Sequence, residues 1–170
     1  RVGLFFLEAG AMPRTSAVVY DRANSEMSRI RPGEVDWDAV FKQARLFHFT
    51  GTAPALSASA AAATREAVLA ARRHNVAVSL DVNYRAKLWS LQDANKTLSE
   101  LLPHCTILIA GEGDLDRIFG IKAKDWKNAA VKMQKKFGLE VIVLTKREDI
   151  TVWRNHWTAA AYAGGRWHED

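Results

Sequence analysis

Asp81-Val82-Asn83-Tyr84-Arg85 brings a carboxylate, an amide and a guanidinium together directly after the apolar run Val76-Ala77-Val78-Ser79-Leu80. Val76, Val78, Leu80 and Val82 recur at the two-residue period of a strand, and their β-branched character suits the interior of a sheet. If the chain stays extended, Asp81, Asn83 and Arg85 project the same way, at the strand end where open α/β sheets bind ligands. The competing reading is a turn, with Asp81 and Asn83 redirecting the chain into a short helix at Ala86–Trp89. Tyr20-Asp21-Arg22 offers an aromatic ring and a guanidinium that could stack on and hydrogen-bond an anionic polyol, or simply an exposed edge strand. Glu112, Asp114 and Asp116 suit a magnesium ion held through water, or, with less demanded of them, the positive end of a helix. Lys146-Arg147 closes another apolar run, either to meet phosphates or as loop charges. His48, alone within a strand, reads as a satisfied structural histidine.

The elements that must position these groups follow from periodicity and punctuation. Val2–Leu7 and Ala17–Tyr20 read as a hairpin around a turn at Gly10–Arg14. Asp36 caps a short helix over Trp37–Gln43, and Leu46–Thr50 is the next strand. Gly51–Leu56 turns the chain into a helix over Ser59–His74, which Asn75 ends in the left-handed conformation. Ser90 and Asp93 open a helix over Leu91–Leu102 that Pro103 stops. Thr106–Ala110 is a wholly apolar strand, as expected when helices cover both faces. A helix runs from about Asp114 to Phe119 before Gly120, and another from Asp125 to Phe137 before Gly138. Glu140–Thr145 is a buried strand, and Ile150–Arg154 and Thr158–Tyr162 form an antiparallel meander turning at Ala163-Gly164-Gly165. A hairpin followed by repeated strand–helix units predicts an α/β fold with a mainly parallel sheet and right-handed crossovers.

Composition bounds the rest. At 170 residues and 48% hydrophobic content, the chain can bury one core. Its 24 basic and 19 acidic residues leave a charge of +5, scattered along the sequence. That distribution argues against nucleic acid as partner and is compatible with a small anionic ligand. A single cysteine, Cys105, excludes an internal disulfide framework and a thiolate zinc site, which sets a reducing, cytoplasmic location as the expectation. No apolar run approaches the roughly 20 residues of a membrane span, so no membrane is expected. Neither a P-loop nor a Gly-x-Gly-x-x-Gly fingerprint is present.

Gly3-Leu4-Phe5-Phe6-Leu7-Glu8, Val19-Tyr20-Asp21-Arg22, Phe47-His48-Phe49-Thr50-Gly51, Pro54-Ala55-Leu56-Ser57 and Asp81-Val82-Asn83-Tyr84-Arg85 with Leu88-Trp89-Ser90 occur in this order. Together they resemble the central part of the 2-keto-3-deoxygluconate kinases, within the ribokinase-like (pfkB) sugar kinases. The resemblance implies a Rossmann-type parallel sheet flanked by helices with a small antiparallel β lid, incomplete at both ends. Residues 1–30 would be part of the lid and 31–170 part of the kinase core. It implies ATP- and Mg2+-dependent phosphorylation of a sugar acid to its 6-phosphate, and a homo-oligomer formed through the lid. Carried over by position, Phe5, Tyr20, Arg22 and Arg85 would contact substrate, with Arg85 also stabilising the transferring phosphate. Asn83 would lie near the triphosphate, Thr145, Lys146 and Arg147 at the nucleotide, and Asp114 in the magnesium–water network. The chain departs from the family in having Phe5 where tyrosine is usual, and Gly111 and Asp114 where asparagine and glutamate are usual. The catalytic base, in a Gly-Ala-Gly-Asp segment, is expected beyond residue 170, so the chain alone is expected not to catalyse the reaction. A fructokinase- or ribokinase-type fragment, or a non-catalytic sugar- or nucleotide-binding remnant, are the alternatives.

Overall fold

The computed structural model describes residues 1–11, 13–151 and 154–169. Strands β1 (Leu4–Glu8) and β2 (Ala17–Asp21) pair antiparallel, with Phe5 opposite Tyr20, Phe6 opposite Val19 and Leu7 opposite Val18. Alternation therefore places Phe5, Leu7, Val18 and Tyr20 on one side of this hairpin and Leu4, Phe6 and Val19 on the other. A two-stranded sheet has no interior, and Phe5 and Phe6 stay 67% and 60% exposed. Arg14 pairs with Glu8 at 2.9 Å, and the Arg1 guanidinium pairs with Asp21 across the hairpin's base. Ser25 and Asp36 then cap α1 (Glu26–Arg29) and α2 (Trp37–Phe41), their side-chain oxygens accepting from Ser28 N and Ala39 N.

The remaining strands form one six-stranded sheet in chain order: β3 (Leu46–Thr50), β4 (Ala77–Asp81), β5 (Ile107–Gly111), β6 (Val141–Thr151), β7 (Arg154–Ala163) and β8 (Arg166–Glu169). The first three pairings are parallel and the last two antiparallel. Helices α3 (Thr52–Ala55) and α4 (Ala58–Arg73) link β3 to β4, α5 (Leu91–Leu101) links β4 to β5, and α6 (Asp114–Arg117) and α7 (Trp126–Phe137) link β5 to β6. Each crossover advances by one strand in the same direction, so right-handed connections send α4, α5 and α7 to one side of the sheet. Matched register brings Phe49, Leu80, Leu108 and Ile142 into one buried row facing them. The buried alanines of α4, Ala60, Ala63, Ala67, Ala70 and Ala71, let that helix lie close against its neighbours. Asn75 and Gly138 end α4 and α7 with φ of 56° and 72°, the left-handed stops their residue types favour. Gly164 and Gly165, both at positive φ, make the tight turn between β7 and β8.

Four expectations need correction. Along β5, Leu108 and Ala110 are buried but Ile107 and Ile109 are only half-buried, so among the described residues helices cover one face of the parallel sheet and not both. The β4 strand ends at Asp81, because Asn83 takes φ +38°, and Ala86–Leu88 is a turn closed by Leu88 N donating to Arg85 O rather than a helix. Helix α6 stops at Arg117, before Phe119, where the chain turns out of the helix through Gly120 at φ 63° with Ile121 N donating back to Leu115 O. The sixth strand runs on through Lys146 and Arg147 to Thr151, because β7 pairs with it over nearly its whole length. Of the strand expected at Ile150–Arg154, Val152 and Trp153 lie outside the described residues. Among the described residues no helix is long and apolar enough to cross a membrane.

Candidate active site at the strand ends and beneath the lid

The parallel strands deliver Thr50, Asp81, Gly111 and Thr145 to one edge of the sheet. Thr50 lies in register with Asp81, and Gly111 with Thr145. Gly51 packs its Cα directly against the start of the next loop, donating its N–H to Asp81 O at 2.8 Å. A Cβ at Gly51 would sit well inside contact distance of the Val82 carbonyl oxygen, so the close approach of β3 and β4 at this edge requires glycine there. Thr50 organises the loop: its hydroxyl accepts from Thr52 N at 3.0 Å and from the Asn83 amide at 3.5 Å.

The Asp81-Asn83-Arg85 triplet is not the coplanar row that an extended chain would give. Asp81 Oδ1 accepts from Asn83 N at 3.1 Å, an Asx turn that throws the backbone into the left-handed region which asparagine tolerates. Asn83 consequently turns back toward Thr50, whereas Arg85 is exposed at the loop surface. The same loop contains the indole N–H of Trp89, buried and without a hydrogen-bond partner among the described residues, while the Tyr84 hydroxyl donates to Trp89 O at 3.1 Å.

Asp114 reaches back to accept from Gly111 N at 3.0 Å. Burial, reinforced by the nearby negative charge of Asp81, raises its pKa above the ordinary carboxylate value, against the opposing pull of the Gly111 hydrogen bond and of Arg117. The trio Glu112, Asp114 and Asp116 does not converge: among the described residues no group of three metal-ligating side chains forms. One half-buried carboxylate is compatible with Mg2+, which is commonly held by one or two carboxylates together with water and substrate phosphates.

Lys146 and Arg147 part company. Consecutive residues of a strand point to opposite faces, and β6 continues as a strand through both. Lys146 pairs with Glu148 at 2.8 Å and lines a cavity of about 210 Å³ with Thr145, Leu144, Trp126 and Thr158. Arg147 lies on the other face, donating to Asn155 Oδ1 at 3.0 Å with its guanidinium 5.7 Å from the Trp157 ring centre. The two cations therefore do not form one phosphate-binding pair.

The lid residues do come together. Arg22 Cζ sits 3.9 Å over the Tyr20 ring, and the Tyr20 and Phe5 rings are 6.3 Å apart. With Met27, Thr52 and Leu56 they line a crevice of about 250 Å³ between the hairpin and the end of β3. The acidic residues of the hairpin itself are taken, Glu8 by Arg14 and Asp21 by the Arg1 guanidinium. Arg22 has no carboxylate partner among the described residues and presents a free guanidinium to the crevice. Arg85 is not among its lining residues. Met27, Thr52 and Leu56 were not legible as site residues from sequence; Thr50-Gly51-Thr52 at a strand end is the signal that could have found Thr52.

A parallel α/β core carrying a detached two-stranded lid over its strand ends is the architecture of the ribokinase-like fold. Over residues 1–157 the chain matches the model of the pfkB family carbohydrate kinases, and it belongs to that family. It is 34% identical over 149 residues, 88% of its length and 46% of the relative's, to a 2-dehydro-3-deoxygalactonokinase of Haloferax volcanii. The crystal structure of a 2-dehydro-3-deoxygluconokinase from Thermotoga maritima superposes with a TM-score of 0.94 at 33% identity, covering 99% of this chain and 53% of that one. A putative ribokinase II of Escherichia coli, solved with ATP and Mg2+, shares the fold with a TM-score of 0.77 at 17% identity, covering 99% of this chain and 49% of that one. The chain thus spans about half the length of the relatives it matches.

Proposed function

We propose that the whole protein transfers the γ-phosphoryl group of ATP to the primary hydroxyl of a 2-keto-3-deoxy sugar acid, 2-keto-3-deoxygluconate foremost, giving the 6-phosphate. The observation that carries this reading is the unpaired Arg22 guanidinium stacked on Tyr20 in the lid crevice. A carboxylate is the ligand group that a free guanidinium in a small crevice rewards most, through charge-assisted hydrogen bonds. The names of the relatives, both kinases of keto-deoxy sugar acids, support it.

In this reading the hydroxyl oxygen forms a bond to the γ-phosphorus as the bond to the β-phosphate oxygen breaks, ADP departs, and the proton goes to a base that the family resemblance places outside these residues. Such a transfer is largely positioning and charge neutralisation. Arg22 and Tyr20 anchor the acid end of the substrate, with Phe5 packing beside them. Arg85, exposed at the mouth of the β4 loop, neutralises the transferring phosphate, and Asn83, fixed by Thr50, faces the triphosphate. Thr145 and Lys146, which line one cavity beside β6, meet the nucleotide, whereas Arg147, on the opposite face and donating to Asn155, does not share that site. Mg2+, held through water by Asp114, would spread the charge of the phosphates. The lid's outer apolar residues, Phe6 and Val19, support pairing with a second copy.

The test is steady-state kinetics of the full-length protein with ATP, Mg2+ and 2-keto-3-deoxygluconate, fructose or ribose. The sugar acid is expected to be strongly preferred. Arg22→Ala is expected to lower kcat/KM for it by about 10- to 100-fold, the worth of a charge-assisted hydrogen bond, while barely touching any turnover of the neutral sugars. Equal turnover of fructose or ribose would replace this reading with a neutral-sugar kinase.

A further inference from the structure

Resting on the sugar-acid reading, we propose that Met27 and Leu56 are specificity-determining residues that select a substrate carrying a methylene beside its keto acid over one carrying a hydroxyl there. The crevice is chemically two-sided. Its hydrogen-bonding side chains are Arg22, Tyr20, Thr52 and Ser25, the last with its hydroxyl oxygen accepting from Ser28 N as the cap of α1. The rest of the wall is apolar: Phe5 and Leu4 from the lid, Met27 from the first turn of α1, and Leu56 from the end of α3.

A cavity of about 250 Å³ is small, so a ligand whose carboxylate reaches Arg22 must lay the next carbons of its chain against this wall. Phe5 contributes no hydroxyl, and Met27 and Leu56 offer neither donor nor acceptor, so a hydroxyl laid against this part of the wall would give up water there without a replacement partner. A methylene at the same place loses nothing and gains contact. Apolar walls reject an added hydroxyl only moderately, by up to about 100-fold. A preference of about 10- to 100-fold for the deoxy acid is therefore the expected scale.

The assay compares kcat/KM of the full-length protein for 2-keto-3-deoxygluconate and 2-ketogluconate, which differ by that hydroxyl. Met27→Gln keeps the length of the side chain and adds an amide to the wall; Met27 is 48% exposed, so the fold tolerates the change. The wild type is expected to prefer the deoxy acid by at least 10-fold, and M27Q and Leu56→Asn to cut that ratio by about 5-fold or more through improved use of 2-ketogluconate. Val40→Gln, an exposed apolar residue of α2 outside the crevice, is expected to leave the ratio unchanged. A ratio near one, or one that M27Q and L56N do not move, overturns the assignment while leaving the sugar-acid kinase intact. Turnover of neither acid overturns the kinase reading itself, and this assignment with it.

Discussion

At the residue scale Asp114 shows how a site costs the fold something. Its carboxyl is held above the ordinary value chiefly by burial, with the charge of Asp81 adding to the effect. A carboxyl whose folded pKa is raised binds its proton more tightly in the native state. It therefore weakens the fold at neutral pH, and that cost is relieved as pH falls through the raised value toward the unfolded one. Asp114→Asn removes the charge and keeps a group that can still accept from Gly111 N. The melting temperature at neutral pH is expected to stay level or rise, and its dependence on mildly acidic pH to flatten, while Mg2+-dependent turnover of the full-length protein falls. A melting temperature that drops along with activity would show Asp114 to be a structural support instead. Arg22 carries the opposite logic. It is half-buried over the Tyr20 ring without a carboxylate partner among the described residues, so its charge remains available to a ligand.

At the element scale the decisive contact is the one between the ends of β3 and β4. Thr50, Gly51, Asp81 and Asn83 tie the two strand ends by hydrogen bonds, and Gly51 lets the backbones touch. Gly51 has an ordinary helical φ of −57°, so the demand for glycine is steric and not conformational. Gly51→Ala must push Val82 and Asn83 outward. We expect a loss of stability measurable by denaturant titration and a larger proportional loss of kcat, because Asn83 shifts from its place; unaltered kcat with lowered stability would separate the loop from catalysis. How far the sequence revealed these elements depended on the reach of the forces that fix them. Caps at Ser25 and Asp36 act within four residues, and of these Asp36 was legible, as were the left-handed stops at Asn75 and Gly138. The bend after Asp81 was less so, because Asp81 and Asn83 fit a strand face and an Asx turn equally well until the turn's hydrogen bond decides. The length of β6 was hidden altogether: Lys146-Arg147-Glu148 has no apolar pattern, and pairing with β7 alone keeps it extended. The crevice was half legible, since Tyr20 and Arg22 announce themselves by type, whereas Met27, Thr52 and Leu56 join it only through the way the hairpin folds over the core.

At the scale of the whole molecule the sheet is unbalanced. Helices α4, α5 and α7 cover one face, and on the other Ala77, Ile107, Ile109, Val141 and Val143 stay half-buried. Parallel sheets are characteristically buried on both faces, so an apolar face of this kind seeks cover. The lid adds a second such surface, with Phe6 and Val19 at 60% and 62% exposure. Contiguous apolar surface of this extent marks an interaction site or an association hazard. The 170-residue chain by itself is accordingly expected to bind a hydrophobic dye and to self-associate with rising concentration in sedimentation velocity. The two surfaces can be told apart by substitution. Val143→Lys charges the open sheet face without touching the helix-covered core, and Phe6→Lys does the same for the outer face of the lid. If the sheet face is the stickier surface, V143K suppresses dye binding and the larger species, while F6K at most removes a discrete dimer. If F6K alone abolishes association, the lid is the contact and the half-buried residues of the sheet are too recessed to pair. A monomer without dye binding at every concentration would mean that neither surface drives assembly, because the alanines and short β-branched side chains of the open face then leave too little apolar area to outweigh the entropy of association.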